Sequence, residues 1–446
     1  MASSFSKISA SHCFWHVTFL SCIFWIAAYF HRAGFCFTSR SPRPDTLPAD
    51  TCSGRYVYVH DLPSRFNSDI LFDYHNVNIS YTNMCRFISN AGLGPALNVS
   101  NIGVLSSSGW YATDPYALDL IFHNRMKRYE CLTTNSSLAS AIFVPFYAGL
   151  DFGRYQWDYN ISVRDSLSLD LVNWLSSKPE WAPMGGRDHF MVAGRTTWDF
   201  RRFKDEDNLW GNKLLLLTHT MNMSTLVFES SPWDSNDFAI PYPTYFHPSC
   251  YSVLVSWQDK VRSSERQWLF SFAGAPRLNR KDSIRGEVIE QCRASAKCNL
   301  MECGSGLSEC HSPGSVMSLF ETTTFCLQPQ GDTPTRRSVF DSMVAGCVPV
   351  FFHPRTAYDQ YTWYLPREHD RYSVFIAEDE VRRGEVSIEE VLSGYSEEQV
   401  RAMRDEVVRL IPRLIYGDPR SRSVGFKDAF DVAVEGILQS VAKIRR

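Results

Sequence analysis

The chain has 446 residues, 44% hydrophobic and 21% charged, with 45 Lys and Arg against 48 Asp and Glu, and a pI near 6.5. That length allows about three domains or fewer, and the apolar content excludes a disordered chain. With a formal charge of -3 and no basic runs, it lacks the face that displaces counterions from a polyanion, so bulk nucleic-acid binding is excluded as well.

Residues 1–12 form a short tail, and 13–31 an apolar run of the length that crosses a bilayer core as one helix, roughly 18–20 residues. A cleaved signal peptide is the alternative, but the apolar stretch is long for one and lacks a clean small-residue cleavage site. Flanking charge does not orient the helix, since Lys7 precedes it while Arg32, Arg40 and Arg43 follow. The composition beyond it does. Sequons stand at Asn78, Asn98, Asn135, Asn160 and Asn222, and ten of the 13 cysteines lie from Cys52 onward, as suits an oxidising lumen. The reading is a single-pass type II membrane protein with a cytosolic tail, a signal-anchor at 13–31, a Pro-rich stalk at 32–52 and a lumenal body. Cys292, Cys298, Cys303 and Cys310 crowd together as a local disulfide clasp whose pairing the spacing leaves open. A zinc site is the alternative, although no C-x-x-C occurs.

Within the body, β-rich runs alternate with helical patterns. Strands are expected at 55–60, 139–146, 189–193, 226–229, 268–273, 325–328, 348–352 and 373–376, several of them continuously apolar, as in parallel sheets covered by helices on both faces. Ser396 and Gln399 form a capping box for a helix, and 426–444 reads as a terminal amphipathic helix. An α/β architecture of two Rossmann-like domains follows, 53–250 and 251–446, divided near the cluster Pro241, Pro243 and Pro248.

Chemistry concentrates in Thr323–His353, which reads strand, Gly loop, helix, Gly turn, strand. Thr333 as N-cap with Pro334 at the first helical position would aim free N–H groups at whatever lies above Gly331. Arg336 and Arg337, unfavourable in a first turn unless an anion is near, point to a phosphate-bearing ligand. Asp341 could then accept from ribose hydroxyls, the alternative being a simple Arg337–Asp341 surface pair. Gly274 and Arg277, after the 268–273 strand, repeat the logic: close backbone approach and a cation for a diphosphate. In GGRDHF, Asp188 and His189 could polarise an acceptor hydroxyl. Tyr361, Trp363 and Tyr364 could stack on a sugar, or fill core. The triplet Asp205-Glu206-Asp207 reads as a solvated loop, and no metal site is expected.

The segments CSGRYVYVHDLP, GRDHFMVAGR, WLFSFAGAPR with SIRGEVIEQC, and FCLQPQGDTPTRRSVFDSMVAGCVPVFFHPRTAYDQYTWYLP resemble the exostosin family, glycosyltransferase family 47, and within it the plant xyloglucan galactosyltransferases. The resemblance runs from about residue 52 to residue 415. It implies a GT-B fold with the nucleotide sugar on the C-terminal domain, in a Golgi membrane protein. It also implies inverting transfer of galactose from UDP-galactose to xylosyl side chains of xyloglucan, in cell-wall synthesis, with no cofactor and no essential metal. Gly274, Arg277, Gly331, Arg336, Arg337 and Asp341 fall at its donor segments. Gly194 and Arg195 stand where many members carry His-Asp, so acceptor-side roles do not transfer. Asp188 or His189 is the expected base, with Asp341 as the fallback. The alternatives are a member that uses UDP-galacturonic acid or a UDP-pentose, or another wall glycan as acceptor, and a non-catalytic glycan-binding subunit of a synthase complex. In either enzymatic case a complex with other glycosyltransferases remains open.

Overall fold

The structure is a computed structural model and describes residues 51–76, 84–98, 108–277, 279–280, 282–304, 310 and 312–445. The expected anchor at 13–31, nearly all of the stalk and the sequon at Asn78 lie outside the described residues. Among those described, no helix is long and apolar enough to cross a membrane.

Two wholly parallel sheets carry the fold. The first comprises β1 (Tyr56–Val59), β2 (Leu132–Thr133), β3 (Ala139–Phe143), β4 (His189–Val192), β5 (Ser224–Val227) and β6 (Asp237–Ala239), in the order β2-β1-β3-β4-β5-β6. The second comprises β7 (Trp268–Gly274), β8 (Cys298–Glu302), β9 (Thr323–Gln328), β10 (Val348–Phe351) and β11 (Val374–Phe375), in the order β11-β10-β9-β7-β8. Every residue of β4 and of β10 is buried, which explains their unalternating apolar runs, since helices cover both faces. All eight expected strands form. The three others escape a hydrophobic pattern for visible reasons: β2 has two residues, β6 (DFA) opens on a carboxylate, and β8 (CNLME) is an edge strand whose apolar run is broken by Asn299 and Glu302.

Sequence alone assigns the terminal helix, Ala429–Ile444, to the second unit, but it returns to the first sheet. Phe430 packs on Phe122 with ring centroids 4.7 Å apart, Arg445 donates to the Ala139 carbonyl at 3.1 Å, and Phe430, Val434, Ile437, Leu438 and Val441 are all buried. Arg125, buried in the Leu118–Met126 helix, holds the Asp428 N-cap of this terminal helix at 3.1 Å. The preceding helix, Glu397–Leu414, begins with the expected reciprocal Ser396–Gln399 capping box. Disulfides join Cys52 to Cys131, Cys292 to Cys298, Cys303 to Cys310 and Cys326 to Cys347, so the expected clasp is a pair of short bridges.

Candidate active site

In open parallel sheets, ligands bind beyond the carboxyl ends of the strands, and here the carboxyl ends of the two sheets face each other. Glu229, just past β5, accepts from the backbone N–H and the hydroxyl of Thr335 at 2.9 and 2.8 Å. Tyr242, past β6, bonds the same hydroxyl at 3.1 Å. Gln360 accepts from the Ser230 N–H at 2.8 Å. The loop after β9 is thereby clamped against the loops of the first sheet.

On the second-sheet side, four arginines gather at the loop after β9. Arg280 donates to the Asp332 carbonyl at 2.7 Å and Arg277 to its carboxylate at 3.0 Å. Arg285, 2% exposed at the start of the Arg285–Ala294 helix, is held by the carbonyls of Gln330 and Ala275 at 2.9 and 3.1 Å, while its Nη2 is buried with no partner. The Arg336 side chain donates to no acceptor among the described residues. Gly331 makes this convergence sterically feasible, since a Cβ there would meet Arg336 Nη1 at 2.0 Å and Arg285 Nη2 at 3.1 Å. Burial, then the neighbouring Arg336 and Arg277, pull the Arg285 pKa down to about 9, and burial lowers that of Arg336. Buried like charges with unused donors disfavour the empty state and are met by a polyanion. Arg280 and Arg285 were not singled out from sequence; the pattern that exposes them is four arginines on two loops that the β7–β9 pairing brings side by side.

The other expected donor residues have different surroundings. The helix starts at Arg337, not at Pro334, with Arg336 extended as its N-cap, because the Thr335 N–H is taken by Glu229. The Thr335 N–H is therefore not offered to a ligand above Gly331, whereas the arginines converge there. Arg337 donates to Asp341 at 3.0 Å and to the Thr113 carbonyl at 2.6 Å, and its guanidinium lies 3.7 Å above the Tyr245 ring. Asp341 is 3% exposed, and burial raises it to about 6 even beside Arg337. The two form a buried strut between the halves, neither a surface pair nor a ribose contact in open space. At Gly274 the room left by the missing Cβ is filled by the Phe272 ring, 2.5 Å from where that atom would stand, so the glycine serves internal packing.

On the first-sheet side, Asp119 ties two strand ends together. Its carboxylate accepts from the N–H groups of Gly149 and Gly194, both at 2.7 Å, and Leu150 at 3.3 Å. Burial pushes it up to about 7 against those three donors. Arg195, bonded to the Gly149 carbonyl at 2.9 Å, lies 4.0 Å above the Tyr116 ring.

Asp188 and His189 do not join this cleft. His189 opens β4, at the amino end of a strand whose carboxyl end faces the second sheet. Its Nδ1 lies 2.9 Å from Asp188 and its Nε2 3.2 Å from His60 Nε2. With Nδ1–H donated to the carboxylate, the Nε2 lone pair accepts from His60, leaving nothing for a substrate proton. Asp188 turns instead to Arg445 at 3.4 Å. Tyr361 and Tyr364 are core: both are buried, and their hydroxyls donate to Phe228 at 2.9 Å and Ala429 at 3.1 Å. Trp363 stacks on Phe238 at 4.5 Å and covers Gly436. Trp198 and Phe203, in the segment after β4, and Trp233, after β5, do face solvent, 66%, 76% and 90% exposed. Asn135 caps the short Ser136–Leu138 turn, Asn160 caps the Ile161–Ser176 helix, and Asn222 donates to the Gly185 carbonyl at 3.0 Å. Asp205 pairs with Lys213, and Asp207 accepts from the Ile161 N–H at 2.7 Å, a surface arrangement.

Against known families, the Exostosin GT47 domain matches residues 51–392, and the chain belongs to that family. It is 59% identical over 399 residues to the xyloglucan galactosyltransferase MUR3 of Arabidopsis thaliana, a match covering 89% of this chain and 64% of that protein. It is 43% identical over 397 residues to the Arabidopsis xyloglucan galactosyltransferase XLT2, covering 87% of this chain and 75% of that one. The chain thus spans a little under two thirds of the length of the first of these relatives.

Proposed function

We propose that this protein is a GT-B type glycosyltransferase of the Golgi lumen, anchored by residues 13–31, that transfers galactose from UDP-galactose to xylosyl side chains of xyloglucan with inversion. The observation that carries the reading is the arginine group around Gly331: buried Arg285 leaves Nη2 without a partner and Arg336 donates to no acceptor among the described residues, with the part-exposed Arg277 and Arg280 beside them, which suits the diphosphate of a nucleotide sugar. The relatives named above supply the donor and the acceptor. Arg277, Arg285 and Arg336 neutralise the departing diphosphate by hydrogen bonds, so no essential metal is expected. Exposed Trp198, Phe203 and Trp233 suit an uncharged glycan, whose sugar faces stack on flat apolar rings.

The test incubates the full-length protein with a panel of UDP-sugars and ungalactosylated xyloglucan oligosaccharides, with and without EDTA, and reads products by mass spectrometry. A hexose increment from UDP-galactose that survives EDTA is the expected result. An increment from UDP-galacturonic acid or a UDP-pentose would move the donor. A folded protein that binds no UDP-sugar would return it to the glycan-binding class.

A further inference from the structure

Resting on that reading, we propose that Asp114 is the general base that removes the acceptor hydroxyl proton. Asp114 stands on the loop that joins the two halves of the cleft. The residue before it, Thr113, receives Arg337 of the second half through its carbonyl at 2.6 Å. The turn after it, Pro115–Ala117, places the Tyr116 ring beneath Arg195. Asp114 is thus fixed between the donor-side helix and the loops after β3 and β4. Its Oδ1 accepts from the Tyr116 N–H at 2.9 Å, which sets the rotamer, while Oδ2 accepts no hydrogen bond from the described residues, and the side chain is half-buried.

The other carboxylates around the cleft are engaged or buried: Asp332 is held on the arginine side by Arg277 at 3.0 Å, and Asp341 keeps a bare Oδ1 only in the interior. Asp119 accepts from three backbone N–H groups, Asp199 from the Trp210 indole at 2.7 Å and Thr196 at 3.4 Å, Glu229 from Thr335 at both its groups, and Asp341 from Arg337. Asp114 alone of these retains an uncommitted oxygen on a part-exposed side chain.

In the step, the acceptor O–H bond breaks and its proton moves to Asp114 Oδ2. The oxygen lone pair forms the bond to the anomeric carbon. The bond from that carbon to the phosphate oxygen breaks, and its electron pair leaves with UDP toward Arg277, Arg285 and Arg336. Inversion follows from attack opposite the leaving group. The charged and titratable groups around Asp114 are Arg337 on the donor-side helix, Arg195 after β4, Tyr116 in its own turn, Tyr245 before the Tyr251–Ser263 helix and Tyr74 in the Ser68–Asn76 helix. Burial raises the Asp114 pKa against the pull of the Tyr116 N–H and the two arginines, so the carboxylate is a stronger base than an exposed aspartate.

The experiment measures kcat, KM for both substrates and UDP affinity of the full-length protein from pH 4.5 to 8, beside Asp114→Asn and Asp114→Glu. Wild-type kcat is expected to fall as pH drops through an ordinary carboxylic acid limb displaced upward. Asp114→Asn should lower kcat about 100- to 10,000-fold, the usual worth of a general base, with UDP affinity and Tm unchanged and the acid limb gone. Asp114→Glu should recover part of the rate. A kcat within threefold of wild type in a folded Asp114→Asn, or a loss confined to KM, would overturn the proposal. So would a wild-type kcat flat down to pH 4.5, a readout that holds even if the Asn variant does not fold. If wild type transfers no sugar at all while UDP binds, the failure belongs to the glycosyltransferase reading instead.

Discussion

The two sheets treat polar groups in opposite ways. In the first, buried charge is matched: Arg125 meets Asp428, Asp119 meets three N–H groups, and Arg202 and Asp165 pair in the interior. At the carboxyl end of the second, Arg277, Arg280, Arg285 and Arg336 gather with only Asp282 and Asp332 as carboxylate partners among the described residues. The first half, whose buried charges mostly find partners, offers aromatic faces to solvent, as suits a neutral polymer, and keeps one bare carboxylate oxygen at Asp114. The second half, left with unused arginine donors, is the one proposed to receive the polyanion, an arrangement that trades stability for binding.

The contrast breaks first where the halves touch. Arg337→Ala removes the partner of buried Asp341 and should destabilise the protein by about 3–5 kcal/mol, the cost of a buried charge left unpaired. Denaturant unfolding checks this. Loss of activity in that variant would report on folding, so it is a poor probe of donor binding.

Disulfides sharpen the comparison. Cys52–Cys131 closes a separation of 79 residues, against 6, 7 and 21 for the three bridges of the second half. On loop entropy alone, removing the first with paired Ser substitutions should cost about 4.5 kcal/mol, and each of the others about 2–3.5 kcal/mol. A flat series in urea midpoints would contradict that ordering.

Acid should strike the first half and the segment that leaves it. Burial lowers His60 to about 4, His123 to about 3 and His247 to about 4. The unfolded chain then binds more protons than the native state between pH 6.5 and those values, so stability is full above pH 6.5 and falls as pH drops through the window. Each histidine contributes on the order of 3 kcal/mol. His123→Gln should flatten part of the slope in pH-dependent unfolding, and an unchanged slope would contradict its burial as a neutral imidazole.

How much of this was legible in the sequence differs between the halves in the same way. Strands with uninterrupted apolar runs, the Ser396 cap and the concentration of arginine after β9 were readable because periodicity and local charge are properties of neighbouring residues. Asp188 and His189 looked catalytic because they are adjacent, yet their position at the amino end of β4 turns them away from the cleft, and strand polarity relative to a second sheet is not a local property. Tyr361 and Trp363 misled for a similar reason: an aromatic run reads alike whether it faces solvent or core. Arg285 and Asp114 were invisible until long-range strand order brought their loops beside Gly331 and Arg337.

The smallest expected effect falls on the acceptor. Trp233→Ala should raise the xyloglucan KM roughly 5- to 30-fold, about 1–2 kcal/mol for the apolar area an aromatic face covers, with Tm and UDP affinity unchanged.

The central claim is the proposed division of labour between a half with unused arginine donors, for the anion, and a half with exposed aromatic faces, for the glycan. Calorimetric titration of UDP into wild type, Arg336→Ala and Trp233→Ala tests it most directly. Arg336 donates to nothing among the described residues and its charge is disfavoured by burial. The account therefore predicts that its removal leaves Tm equal or higher while weakening UDP binding about 10- to 150-fold, the worth of a charge-assisted hydrogen bond, and that Trp233→Ala binds UDP as wild type does. Wild-type UDP affinity in a folded Arg336→Ala protein would contradict it.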